Sequence, residues 1–136
     1  MKIKFIFLLL LLLLYGFGST RLVNVYNVPS IEQQEQMFRL EENQLNIKDL
    51  GDFEEVGREF VRKRTYIIYY SYKDEKKAKK QIIKNINNRF LNNNWRYTGG
   101  FEMNDGSLES EFAKGKCICI VIVKDKTIII KFRYKI

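Results

Sequence analysis

Tyr66-Ile67-Ile68-Tyr69-Tyr70-Ser71-Tyr72, followed by a stretch in which Ala78, Ile82, Ile86 and Phe90 recur every fourth residue, decides how this chain folds. The first run is β-branched and aromatic, which suits a pleated strand and disfavours a helix. The second has helical period: Ile83 and Leu91 widen its apolar stripe, while Lys76, Lys80 and Lys84 lie on another face. Asp74 stands where a helix N-cap is expected. Asn92-Asn93-Asn94 ends the pattern, because Asn tolerates the left-handed conformation of a helix C-terminus.

Toward the C-terminus the period changes from helical to alternating. Trp95, Tyr97, Gly99, Phe101 and Met103 alternate with more polar or small partners up to Asn104-Asp105-Gly106, and Asp-Gly between two such runs is a hairpin signal. Leu108, Ser110 and Phe112 begin the return strand, and Lys114-Gly115-Lys116 turns it into a run from Cys117 to Val123 that is apolar on both faces. After Lys124-Asp125-Lys126-Thr127, Ile128, Ile130, Phe132, Tyr134 and Ile136 face one way and Lys131, Arg133 and Lys135 the other, the pattern of a half-buried antiparallel strand. The order β-α-β-β-β-β predicts an α+β fold, a two-layer sandwich with an amphipathic helix packed on a mainly antiparallel sheet. Gly99-Gly100 reads as a strand irregularity rather than a phosphate loop.

Toward the N-terminus the signals are of another kind. Met1-Lys2-Ile3-Lys4 is a short basic segment, followed by an apolar run with seven consecutive leucines, Leu8 to Leu14. Gly16 and Gly18 supply the small residues that a signal peptidase requires. Residues 1–18 are therefore expected to be a signal peptide, with the mature chain starting at Ser19 or Arg21. The run from Phe5 to Phe17 would make only about 20 Å of helix against a hydrocarbon core of ~30 Å, which favours cleavage over an uncleaved anchor. Residues 19–63 read as an N-terminal arm, extended from Leu22 to Val28 and then acidic, with 64–136 as the α+β core domain. Ser30 with Gln33 and Asp52 with Glu55 have capping-box spacing, so 31–45 and 53–63 read as short helices; 31–50 reads equally as a mobile acidic linker.

Charge and composition narrow the function. The 136 residues carry a formal +8 and no histidine. Residues rich in A+T codons (Lys, Asn, Ile, Phe, Tyr) crowd the chain, which weakens that charge as evidence of binding. Its distribution is more informative: residues 31–59 hold nine acidic and three basic groups, residues 62–136 seven acidic and eighteen basic. Lacking histidine, the chain has no Ser-His or Cys-His nucleophile and lacks the commonest general base and metal ligand, so it is expected not to be an enzyme and to hold no metal or cofactor. Cys117 and Cys119 lie two apart on one strand and read as buried core residues, a C-x-C metal site or a strained bond being the rival readings. Lys76, Lys80 and Lys84 on the helix, with Lys131, Arg133 and Lys135 on the last strand, are the candidate contacts for an anionic surface. Tyr66, Tyr70, Tyr72 and Trp95 are the candidate aromatic interface.

Val25-Tyr26-Asn27-Val28-Pro29 after the leader, a helix ending at Asn94-Trp95, the segment Gly106-Ser107-Leu108-Glu109-Ser110 and a closing hairpin with Ile128, Ile130 and Phe132 resemble a family of small bacterial envelope lipoproteins of unknown function. The resemblance implies a β-rich envelope protein and carries over no catalytic residue. It departs at the lipobox: Leu14-Tyr15-Gly16 is followed by Phe17, so no thiol is present there to acylate. Together these readings lead to an exported, periplasmic or extracellular protein that binds another envelope protein or an anionic envelope surface, touching membrane only peripherally or through an uncleaved leader. No nucleic-acid partner is expected. The alternative is a secreted ligand-binding or effector-like module in which the Tyr-rich strand and Trp95 line an apolar pocket.

Overall fold

The computed structural model describes residues 29–62, 64–73 and 78–135, and residues 31–136 form one compact unit. The leader, the segment Leu22 to Val28, Asp74, Lys76 and Ile136 lie outside the described residues. In chain order the elements are α1 (Ile31–Leu45), a 3-10 turn (Ile47–Leu50), β1 (Phe53–Val61), β2 (Thr65–Tyr72), α2 (Lys79–Asn92), β3 (Arg96–Glu102), β4 (Leu108–Lys114), β5 (Cys117–Lys124) and β6 (Thr127–Tyr134). The six strands form a single sheet in the order β1-β2-β6-β5-β4-β3, every neighbouring pair antiparallel. The fold is α+β, helices on an antiparallel sheet, as the sequence pattern predicts.

Strand alternation sorts the side chains onto two faces. Tyr66, Ile68, Tyr70 and Tyr72 of β2, Ile128, Ile130 and Phe132 of β6, Cys117, Cys119, Val121 and Val123 of β5 and Phe112 of β4 share the inner face and belong to one buried core. The helices close it. From α2, Ile82, Ile86 and Phe90 enter the core, and Phe90 stacks on Phe112 with ring centroids 4.3 Å apart. From α1, Phe38 and Leu45 enter, and Phe38 stacks on Phe132 at 5.9 Å and on Tyr66 at 6.4 Å. Each of these side chains, withdrawn from water, is worth roughly 1.5–3 kcal/mol of transfer free energy.

The end of α2 shows how local sequence fixes tertiary packing. Asn94 has φ 67°, the Asn94 N–H donates to Leu91 O at 3.3 Å and the Trp95 N–H donates to Phe90 O at 3.1 Å. This is the six-to-one and five-to-two pattern of a Schellman motif, with its expected apolar contact made by the Trp95 and Phe90 rings at 5.5 Å. The asparagine run thus stops the helix and folds Trp95 back into the core. Of the two residues expected to widen the stripe 82-86-90, Ile83 packs against the core and Leu91 instead points to solvent.

Two parts of the expected N-terminal arm behave differently. Residues 31–45 are helical and join the core, so the mobile-linker reading does not hold there. Where the capping-box spacing predicts a helix over 53–63, the chain instead forms β1 over Phe53–Val61, an edge strand paired with β2. The cause is a bulge between Glu55 and Gly57 that resets the alternation. Phe53 and Phe60 both pack on the inner side, seven residues apart, a spacing that suits a helix as well as a bulged strand.

Candidate interface on the open face of the sheet

The outer face of the sheet carries no helix among the described residues. Its central strand β5 points Ile118, Ile120 and Ile122 outward, so β5 is apolar on both sides. Ile67 of β2 and Ile129 of β6 lie on the same face. Ile67 and Ile122 are buried without belonging to the helix-covered core, and Ile118, Ile120 and Ile129 are half-buried. A shallow depression of about 280 Å³ runs across this face, lined by Val61, Thr65, Ile67, Ile118, Ile120, Lys131 and Arg133.

Charge on this face is segregated by strand. β4 presents Glu109 and Glu111 on one side of the β5 isoleucines, and β6 presents Lys131 and Arg133 on the other. None of the four forms an ion pair among the described residues. The sheet edges are less suited to association, since both edge strands carry bulges, between Glu55 and Gly57 in β1 and between Tyr97 and Gly99 in β3.

The expected basic patch is divided between two surfaces. Lys80 and Lys84 are exposed on α2, in the helix layer, whereas Lys131 and Arg133 are on the opposite side of the sheet. Lys135 is exposed just beyond β6, and Lys76 falls outside the described residues. The set therefore does not form one continuous anionic-surface contact, because a helix packed on one face of a sheet cannot share a surface with the other face. The aromatic interface is corrected as well: Tyr66, Tyr70, Tyr72 and Trp95 are 1, 3, 6 and 3% exposed and belong to the core. Burial also raises the hydroxyl pKa of Tyr66, Tyr70 and Tyr72.

A second cleft, which reaches Tyr70 of the tyrosine strand, is polar rather than aromatic. It measures about 320 Å³ and is lined by Glu42, Asn43, Asn46, Ile47, Lys48, Glu55, Arg58 and Tyr70. Here Arg58 donates to both oxygens of Glu42 at 3.1 and 2.7 Å, and also to Glu55 and to the Tyr66 oxygen. Tyr66 donates in turn to Glu42 at 3.2 Å. Lys114 forms a second tie, donating to Glu41 at 3.0 Å. These pairs hold the acidic helix α1 to the sheet. The acidic arm of the sequence is therefore partly neutralised within the fold.

Cys117 and Cys119 are buried and unbonded, and burial pushes both thiols up from their usual range, Cys119 furthest. Their inward placement follows from the β5 alternation. Among the described residues no group of three or more acidic or cysteine side chains converges as a metal site, and no helix is long and apolar enough to cross a membrane. No family model matches the chain, and no curated protein and no solved structure matches it significantly.

Proposed function

We propose that the protein is a non-enzymatic binding module of the cell envelope that engages another envelope protein through the open face of its sheet. The observation that carries this reading is the row Ile118, Ile120 and Ile122 of β5, flanked on β4 and β6 by charges of opposite sign that form no ion pair among the described residues. A strip of that composition suits a folded protein surface better than a lipid surface, because an anionic membrane drawn to Lys131 and Arg133 would be repelled by Glu109 and Glu111. The signal-like segment of residues 1–18 and the resemblance to envelope lipoproteins support the location. The absence of histidine and the inward burial of both thiols support a role without catalysis.

Retention on the native envelope fraction tests the proposal. Ile120→Asp should lose retention while keeping the thermal transition of the parent, and Lys80→Ala combined with Lys84→Ala should bind as the parent does. If the two helix lysines prove necessary and Ile120→Asp binds normally, the contact surface is α2 and the proposal fails.

A further inference from the structure

We propose that the open face is self-complementary and that its partner is a second copy of this chain, packed sheet on sheet about a two-fold axis that runs along β5. This rests on the reading of that face as the contact surface. The strand registers place Glu111, Ile120 and Lys131 in one row across β4, β5 and β6. The row reads acid, apolar, base, with the apolar residue in the middle.

A two-fold axis along β5 lays the β5 of one copy over the β5 of the other, β4 over β6 and β6 over β4. Ile120 then meets Ile120 of the second copy, and Glu111 meets Lys131 of the second copy twice, once on each side of the axis. In the neighbouring row, Ile122 meets its counterpart, and Phe101, 61% exposed on the same face, is carried over Tyr69 of the second copy. Stacked sheets lie about 10 Å apart, a gap that a lysine and a glutamate together bridge.

Other two-folds in the plane of the face fail on charge. An axis along β4 stacks glutamates on glutamates, and one along β6 stacks Lys131 on itself. An axis across the strands puts β4 on β4 and β6 on β6, again like on like. Of these axes, the one along β5 pairs Glu111 with Lys131 and joins the β5 isoleucines, while setting Glu109 over Ile129 of the second copy.

Charge reversal provides the test, read by sedimentation equilibrium of the full chain over a wide concentration range. The parent should dimerise. Lys131→Glu alone and Glu111→Lys alone should each weaken the dimer by about tenfold or more, since each puts two like-charge contacts into the interface. The double variant, and an equimolar mixture of the two single variants, should regain it, because both restore opposite charges across the axis. Association through any other surface, including the leucine-rich leader, would be indifferent to these reversals. Should a reversal unfold the chain, Lys131→Gln and Glu111→Gln remove the charge without inverting it and should each weaken the dimer. A parent that stays monomeric, or a dimer unmoved by the reversals, overturns the proposal. Loss of envelope retention in Ile120→Asp alongside a monomeric parent would leave the face a contact surface for a different protein.

Discussion

The two faces of the sheet are built from the same strands and meet different fates. On the inner face Tyr66, Ile68, Val121, Ile130 and Phe132 are closed over by Phe38, Leu45, Ile82, Ile86 and Phe90, and every one of them is at most 2% exposed. On the outer face Ile118, Ile120 and Ile129 stay half-buried among charged neighbours. An antiparallel sheet covered on one side ordinarily turns polar residues outward, as Lys131 and Arg133 of β6 do. β5 departs from that rule, and its second apolar side has no structural task within the helix-covered core. The inner face accounts for stability. The outer face is the one proposed above for binding.

The largest effect should come from the inner face where α1 docks. Phe38→Ala removes a fully buried ring that packs on both Tyr66 and Phe132, and should cost about 3–5 kcal/mol in urea unfolding. A loss within ~0.5 kcal/mol would mean that α1 only rests on the sheet, leaving the inner face partly open as well.

Next comes α2. Ile86→Ala should lower stability by about 2–5 kcal/mol, whereas Lys80→Ala, exposed on the same helix, should stay within ~0.5 kcal/mol. Equal effects in a thermal melt would show that the helix does not divide into a covered and a solvated side.

A smaller effect should appear on the alkaline side. Burial raises the hydroxyl of Tyr70 and the thiol of Cys119 above their ordinary values, so both are protonated in the folded state at pH values where the unfolded chain has begun to release its protons. Their contribution is fully present below the unfolded values of ~8.5 for the thiol and ~10 for the hydroxyl, and it is lost as pH rises from there through the folded values. The urea midpoint should therefore fall above that range, and Tyr70→Phe should flatten the part due to the hydroxyl. An unchanged slope in that variant would assign the loss to the other raised groups of the core, the thiol of Cys119 and the hydroxyls of Tyr66 and Tyr72.

Much of this contrast is written in the sequence, because alternation and helical period are local. The inward set of β6 and the stripe 82-86-90 follow from side-chain spacing alone. β1 escapes such reading because its bulge at Val56 breaks the period of two. The open-face row escapes it for another reason: Glu111, Ile120 and Lys131 are nine and eleven residues apart, and only the registers of two hairpins bring them side by side. The tie between Glu42 and Arg58, sixteen residues apart, is likewise made by α1 docking and by no local pattern.

Ile120 and Val121 are adjacent on β5 and point to opposite faces, which makes them a matched pair for the central claim. Aspartate at each position, followed by both urea unfolding and sedimentation equilibrium, separates stability from association. Val121→Asp buries a charge in the helix-covered core and should leave no cooperative unfolding transition. Ile120→Asp should unfold close to the parent, with its self-association lost. A chain that unfolds equally at both positions, or an Ile120→Asp variant that associates as the parent does, would contradict the division of the sheet into a face that holds the fold and a face that holds a partner.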